Sequence, residues 1–121
     1  MTFPEATLQY LTGHTATGDS AGTLMFMPRQ QVMDFRYSSP AVDVWAVAAS
    51  YYYMLTGEYP KDFVNKDQVL AALDNAAIPI QKRDPKIPQR IAQIIDQALI
   101  DNPVIGIQSA SDLKLRIERA L

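Results

Sequence analysis

The chain has 121 residues, 48% of them apolar and 20% charged, a composition typical of one folded domain rather than a disordered segment. Its 11 basic and 13 acidic residues leave a formal charge of −2, which argues against nucleic acid as a partner. There is no cysteine and one histidine, His14, so disulfides, cysteine nucleophiles and histidine-rich zinc sites are excluded. We therefore expect no metal and no cofactor.

No segment indicates secretion or insertion into a membrane. Residues 1–7 lack the basic start and apolar run of a signal sequence. The longest apolar stretch, 41–55, carries Asp43 and is shorter than the roughly 20 residues that span a bilayer. We therefore expect a cytoplasmic protein with no membrane partner.

The first 25 residues are rich in threonine, glycine and other small residues, and they show neither the period of a strand nor that of a helix. This pattern predicts a long loop. Two interpretations are open: a functional loop, or a frayed N-terminus.

A central helix is the clearest predicted element. Ser39 is a candidate N-cap, Pro40 suits the first helical position, and Asp43 lies in the first turn, where the helix dipole favours an anion. Gly57 is a natural C-terminal cap, and Pro60 follows soon after. Apolar residues occur on nearly every side of this helix, which predicts that other helices enclose it.

Three further helices are predicted around the central one, so the expected fold is all-α. A short helix opens at Asn65 or Asp67, and a proline- and charge-rich connector, 79–88, follows it. Ser109 and Asp112 resemble a capping box at the start of the last helix. The apolar positions that predict the last two helices are Ile87, Ile91, Ile94, Ile95, Ala98, Leu99, Leu113, Ile117 and Leu121.

Several short motifs share the order and spacing of one family. Gly22-Thr23 precedes Phe26-Met27-Pro28, and Asp43-Val44-Trp45 and Leu55-Thr56-Gly57-Glu58-Tyr59-Pro60 follow. Asp101-Asn102-Pro103 and Gln108-Ser109-Ala110-Ser111-Asp112-Leu113 come last. Together they resemble the C-terminal lobe of bacterial eukaryotic-like Ser/Thr protein kinases, from the activation segment to the last helix. The resemblance covers roughly the whole chain. It implies a single partial kinase-like domain, with 1–27 as an activation-segment-like loop and 28–121 as a truncated helical C-lobe.

The resemblance also implies roles for individual residues. Asp43 and Trp45 would be structural, and in kinases the matching carboxylate accepts hydrogen bonds from the catalytic-loop backbone. Thr15 and Thr17 fall in the activation-segment-like loop, where we hypothesise that another kinase phosphorylates one of them. The residues that would line a platform for a substrate peptide are Gly22, Thr23, Phe26, Met27 and Pro28.

The catalytic parts of a kinase do not occur in this sequence. A glycine-rich loop, the strand lysine, the His-Arg-Asp loop and Asp-Phe-Gly are all missing, and the chain begins about where Asp-Phe-Gly would have ended. We therefore expect no phosphotransfer from this chain alone. ATP and Mg²⁺ would be needed only if the missing N-terminal part were supplied.

Two positions depart from the family in a correlated way. Gln30 stands where the family's Ala-Pro-Glu motif has glutamate, and Gly106 stands where the family has a late arginine. In kinases those two residues form a buried ion pair. Losing one partner of such a pair costs on the order of 3–5 kcal/mol, whereas losing both can be near neutral. The double loss therefore favours a lobe that is stable in its altered form.

Three functions are open. The first is a non-catalytic, pseudokinase-type module that binds a protein or peptide, possible partners being a kinase or a kinase substrate. The second is the C-terminal piece of an otherwise active Ser/Thr kinase, in which case phosphotransfer belongs to the parent protein. The third is a generic helical interaction domain.

The central helix predicts association. In the family, the catalytic loop and the preceding helix enclose one side of this helix, and neither occurs here. We expect self-association, as a symmetric dimer, or a protein partner that replaces the missing elements; residues 1–25 folding back is the competing interpretation. The interface candidates are Val44, Trp45, Val47, Tyr51, Tyr52, Met54 and Leu55.

Overall fold

The computed structural model describes residues 24–63 and 67–121, which contain six helices and no strand. The all-α prediction is confirmed for these ranges. The predictions that fall on residues 1–23 lie outside the described residues; they concern the N-terminal loop, Thr15, Thr17, Gly22 and Thr23. The helices are α1 (Arg29–Met33), α2 (Pro40–Thr56), α3 (Gln68–Asp74), α4 (Ile80–Arg83), α5 (Gln89–Ala98) and α6 (Ala110–Ala120).

Helix α2 begins and ends where the sequence predicts. The Ser39 hydroxyl accepts a hydrogen bond from the Val42 amide at 3.3 Å, and Pro40 is the first helical residue. At the other end, Gly57 adopts a left-handed conformation with φ of 73° and donates its N–H to the Tyr53 carbonyl at 2.7 Å. Local capping chemistry therefore sets both ends of this helix.

The core of the domain is built on α2, which packs against α4, α5 and α6. Large side chains from these neighbours and from the α5–α6 loop meet α2 in one cluster, among them Ile80, Ile95 and Ile107. Burying a large apolar side chain stabilises the fold by roughly 1.5–3 kcal/mol. The buried residues of α2 are Ala41, Val42, Val44, Trp45, Ala46, Ala48, Ala49 and Tyr52.

Two short helices were not predicted from the sequence. Helix α4 lies inside the segment 79–88 that was interpreted as a connector, and the amide of its first residue, Ile80, donates to Asp96 Oδ1 at 2.9 Å. Helix α1 begins after Pro28 and has no side-chain cap. Neither helix is long enough for its apolar residues to repeat with the helical period. The hydrogen bond between Ile80 and Asp96 joins residues 16 positions apart, so no local pattern predicts it.

The remaining helices follow the sequence closely. Asp67 caps α3 by accepting from Val69 N at 3.0 Å, which selects Asp67 over Asn65 as the start. Ser109 Oγ accepts from Asp112 N at 3.1 Å, so the Ser half of the predicted capping box forms. Within the described ranges, no helix combines the length and the apolar character that crossing a bilayer requires.

Candidate functional site

A buried ion pair holds one side of the domain together. Lys61 Nζ lies 2.6 Å from Asp101 Oδ2 and donates to the Ala72 carbonyl at 2.7 Å, and the two charged side chains are only 1% and 4% exposed. The ammonium also lies 5.3 Å from the centroid of the Trp45 ring. Burial lowers the pKa of Lys61, and the neighbouring Asp101 carboxylate opposes that effect.

The same aspartate anchors helix α1. Arg29 N donates to Asp101 Oδ2 and Gln30 Nε2 donates to the Asp101 carbonyl, each at 2.8 Å. The indole N–H of Trp45 donates to the neighbouring Leu99 carbonyl at 3.0 Å. These hydrogen bonds fix the segment Pro28-Arg29-Gln30 to the loop after α5. Lys61 and Asp101 form the buried ion pair of this region.

Gly106 lies in a place that admits no side chain. A Cβ atom built there would be 2.1 Å from the carbonyl oxygen of Gln97, far inside van der Waals contact. The Gly106 amide donates to the Ile100 carbonyl at 3.0 Å, which holds the two segments at this close approach. An arginine at position 106 would not fit this backbone.

Four aromatic rings form a cluster that joins the segment before α1 to the C-terminal end of α2. Tyr53 and Tyr59 stack with their centroids 4.9 Å apart, and the Phe26 ring meets them edge-on at 6.1 and 5.6 Å. Phe63 meets Tyr59 edge-on at 6.4 Å. Edge-to-face and offset pairs contribute about 0.5–1.5 kcal/mol each beyond the area that they bury. We call Phe26, Tyr53, Tyr59 and Phe63 the aromatic surface.

The structure corrects the predicted peptide platform. Met27 and Pro28 are fully buried, Met27 against Leu24 and Val32, so neither residue can touch a bound peptide. Of the predicted residues that the structure describes, only Phe26 reaches the aromatic surface, where it is half-buried. The sequence analysis did not predict Tyr59 and Phe63 as site residues, because only the fold brings them to Phe26. The nearby Leu-Thr-Gly motif was the one sequence feature that pointed to this region.

A cavity of about 350 Å³ adjoins the aromatic surface. Arg83 spans its floor, donating to the Tyr52 hydroxyl and to the Tyr59 carbonyl at 3.2 Å each, with its guanidinium 3.4 Å from a carboxylate oxygen of Glu58. The lining carries the carboxylates of Glu58 and Asp62 and the cations of Lys61 and Arg83 beside the rings of Tyr59 and Phe63. The lining residues are Gly57, Glu58, Tyr59, Lys61, Asp62, Phe63 and Arg83.

A second, apolar groove of about 290 Å³ runs between α2 and α6. Val44 and Leu113 are buried at its floor, while Val47 and Tyr51 form part of its wall. Asp43 stands at its edge; burial raises the pKa of this carboxyl, and the positive charge of the chain's N-terminus opposes that effect. No residue in 24–63 or 67–121 forms a hydrogen bond with its carboxylate. The lining residues are Asp43, Val44, Val47, Tyr51, Ala110, Leu113, Lys114, Ile117 and Glu118.

The interface candidates divide into two groups. Val44, Trp45 and Tyr52 lie in the core, so they cannot contribute an exposed contact surface as predicted; Trp45 bonds to Leu99, and the Tyr52 hydroxyl donates to the Ile78 carbonyl at 2.8 Å. The sequence pattern did not show which of these residues are buried, because apolar residues occur on nearly every side of the helix. The candidates that lie at the surface share one stripe at steps of three and four, namely Val47, Tyr51, Met54 and Leu55.

Comparison with known proteins finds no matching family model, no matching curated protein and no matching solved structure. Across the two described ranges, no group of three or more histidine, cysteine or carboxylate side chains comes together as a set of metal ligands.

Proposed function

We propose that this chain is a non-catalytic, protein-kinase-like helical module that binds a protein or peptide partner. The observation that carries the proposal is the aromatic surface beside its cavity. Tyr53 is 40% exposed, although its ring is already oriented by stacking on Tyr59. Rings that are pre-oriented in this way bury a large area on binding with little loss of side-chain entropy.

The chemistry of the cavity indicates the class of peptide. Tyr59 and Phe63 offer apolar faces to a bulky side chain, and the carboxylates of Glu58 and Asp62 lie at the rim. The lining holds two carboxylates and two cations, and Arg83 is paired with Glu58, so the formal charges of the cavity balance. A segment with an aromatic or aliphatic side chain fits this combination.

The experiment compares two tyrosines of similar exposure. Tyr53, at 40%, belongs to the aromatic surface, and Tyr37, at 43%, lies outside it. Peptides selected from a random library on the wild-type chain are titrated against Tyr53→Ala and Tyr37→Ala by fluorescence anisotropy. We expect Tyr53→Ala to weaken binding about tenfold or more, as for an interface residue that contributes over 1 kcal/mol.

Tyr37→Ala should leave the affinity unchanged. Equal losses in the two variants would show that the selected peptides bind elsewhere, and a library that yields no binder would refute the proposal. Circular dichroism of both variants confirms that the helices are intact before affinities are compared.

A second candidate is the C-terminal piece of an active Ser/Thr kinase. It is favoured by the contact between Phe26 and Tyr59, because these residues belong to two separate kinase-like motifs and their rings lie 5.6 Å apart. Both candidates expect no Mg-ATP binding by this chain alone, which thermal unfolding with millimolar Mg-ATP can check. Reading the DNA upstream of the Met1 codon for His-Arg-Asp and Asp-Phe-Gly separates them. A generic helical interaction domain is the third candidate.

A further inference from the structure

A further cavity, of about 280 Å³, lies between the C-terminal ends of α3 and α5, next to the first residue of α1. Charged side chains of both signs line it: Arg29 from α1, Asp74 from α3 and Asp96 from α5. Asp101, in the loop after α5, also lines it, but its carboxylate is already held by Lys61. We call this space the polar cavity.

The guanidinium of Arg29 is half-buried and lacks a counter-charge. Its Nε is buried without a hydrogen-bond partner, and Arg29 takes no part in the ion pairs of residues 24–63 and 67–121. Its charge is felt nearby: burial lowers the pKa of Lys61, Asp101 opposes that effect, and the positive charge of Arg29 adds to it. A charged group that leaves water normally finds a partner, so Arg29 is an open position for an anion.

The two carboxylates on the neighbouring helices also lack a cation. Oδ1 of Asp96 accepts from the Ile80 amide at 2.9 Å; burial raises the pKa of this carboxyl, and the hydrogen bond lowers it. Asp74 is exposed at the end of α3, and neither Asp74 nor Asp96 belongs to an ion pair in the described part of the chain. Opposite charges therefore line one cavity without pairing with each other.

The separated charges define the chemistry of a matching ligand. A simple anion would suit Arg29 but would face Asp74 and Asp96, and a simple cation would meet the reverse conflict. An apolar ligand would take water from all three groups without replacing the lost hydrogen bonds. A molecule with both a carboxylate and an ammonium group meets each charge with its opposite, and a carboxylate can accept two parallel hydrogen bonds from a guanidinium.

The size and the remaining walls of the cavity fit a small molecule. A volume of about 280 Å³ lies just below the range of roughly 300–1,000 Å³ that is typical of small-molecule pockets. Ala76, Ala77 and Leu99 form an apolar part of the lining that can contact aliphatic carbons. A free amino acid combines the two required charges with a short aliphatic body.

We propose that the polar cavity binds a free amino acid, whose carboxylate pairs with Arg29 and whose ammonium group lies against Asp74 and Asp96. The polar cavity shares no lining residue with the aromatic surface or with the cavity beside that surface. Binding of an amino acid is therefore a property separate from peptide binding.

The probes are glycine, β-alanine and γ-aminobutyrate, in which increasing numbers of carbons separate the two charges. Acetate and methylamine are the singly charged controls. Each is titrated to about 50 mM at constant ionic strength into the isotope-labelled chain, and backbone amide shifts are followed by NMR. We expect at least one amino acid to shift the amides of Ala76, Ala77 and Asn102, with an affinity at least about tenfold higher than that of either control.

Matched variants locate the site. Arg29→Met removes the charge, so amino-acid binding should weaken about tenfold or more, and the preference over methylamine should disappear. Arg90→Met should have no effect, because Arg90 is an exposed residue of α5 outside the lining. Asp96→Asn keeps an oxygen for the Ile80 amide and should weaken amino-acid binding without weakening acetate binding. Asp74→Asn, at an exposed position, tests the same point if Asp96→Asn disturbs the fold.

Three outcomes would overturn the proposal. They are binding of acetate or methylamine as tightly as any amino acid, which indicates a site for a simple ion; no amide shift with any amino acid up to about 50 mM; and equal effects of Arg29→Met and Arg90→Met. Tyr53→Ala, which disrupts the aromatic surface, should leave amino-acid binding unchanged. A failure of peptide binding and a failure of this proposal are therefore distinguishable.

Discussion

Two aspartates near the central helix stand in opposite situations. Asp101 is almost completely buried, and one of its carboxylate oxygens accepts from Lys61 Nζ at 2.6 Å and from Arg29 N at 2.8 Å. Asp43 is half-buried at the edge of an apolar groove and has no hydrogen-bond partner within residues 24–63 and 67–121. Within the described ranges, a lysine and a backbone amide hold the carboxylate of Asp101, whereas the carboxylate of Asp43 accepts no hydrogen bond.

The different environments of Asp101 and Asp43 imply that the two residues contribute differently to the stability of the fold. A buried charge without partners is costly, so the donors around Asp101 are a condition of folding. A carboxylate at an exposed edge retains some water, so it does not require a buried partner. We therefore expect substitutions around Asp101 to change the free energy of unfolding strongly, and substitutions around Asp43 to change it only slightly.

The largest expected effect comes from breaking the buried pair. Lys61→Met leaves Asp101 without its cation in a dry environment, and we expect the free energy of unfolding to fall by about 3–5 kcal/mol. Urea unfolding followed by circular dichroism measures this change. Lys114→Met is the matched control, since it breaks the exposed Lys114–Glu118 pair and should cost no more than about 1 kcal/mol.

The double variant sharpens this result. Lys61→Met with Asp101→Asn removes both charges, so its cost should be clearly smaller than the sum of the two single costs. Additive costs would contradict the coupling between the two side chains. A Lys61→Met variant that unfolds at the wild-type urea concentration would show that the pair does not stabilise the fold.

The next effect concerns the close approach at Gly106. Gly106→Ala places a Cβ against the Gln97 carbonyl, and we expect destabilisation of about 1–3 kcal/mol or more, because two backbone segments must separate. Gly57→Asn is the control: Gly57 has open space around it, and asparagine tolerates its left-handed conformation, so the loss should stay below about 1 kcal/mol. Equal losses in the two variants would argue against a steric role for position 106.

A smaller effect distinguishes two adjacent tyrosines of α2. Tyr52→Phe deletes the hydroxyl that donates to the Ile78 carbonyl and accepts from Arg83, and we expect a loss of about 1–3 kcal/mol. Tyr51→Phe removes a hydroxyl from an exposed ring and should change stability by less than about 0.5 kcal/mol. Thermal or urea unfolding of the pair measures the contrast, and similar losses would contradict the assignment of Tyr52 to the core.

The sequence predicted the structural features that depend on contacts between residues close together in the chain. The ends of α2 follow from Ser39, Pro40 and Gly57, and the start of α6 follows from Ser109, because capping is a contact between residues a few positions apart. Helix α4 was missed because the partner of its first amide, Asp96, lies on another helix. Local patterns carry no signal for such a contact.

The candidate site was less predictable for the same reason. Nothing near Lys61 in the sequence signals its burial, because its partner Asp101 lies 40 residues further along the chain. The motif containing Phe26 predicted a platform, although Met27 and Pro28 of that motif are buried in the fold. Because apolar residues occur at every turn of α2, the sequence pattern did not distinguish Tyr52, which lies in the core, from Tyr51, which lies at the groove.

The smallest expected effect is a pH dependence that belongs to Asp43. Burial raises the pKa of this carboxyl above its ordinary value of 3.8, so between that value and the raised pKa the folded chain binds more protons than the unfolded chain. The free energy of unfolding should therefore fall as pH rises through this window, and Asp43→Asn should lack that contribution. Urea titrations of both proteins from about pH 3.5 to 7 measure their difference in stability, which should favour the wild type most at the acid end. The positive charge of the chain's N-terminus opposes the effect of burial on this carboxyl, so the contribution is small. A stability difference in favour of the wild type that grows with pH would contradict a raised pKa for Asp43.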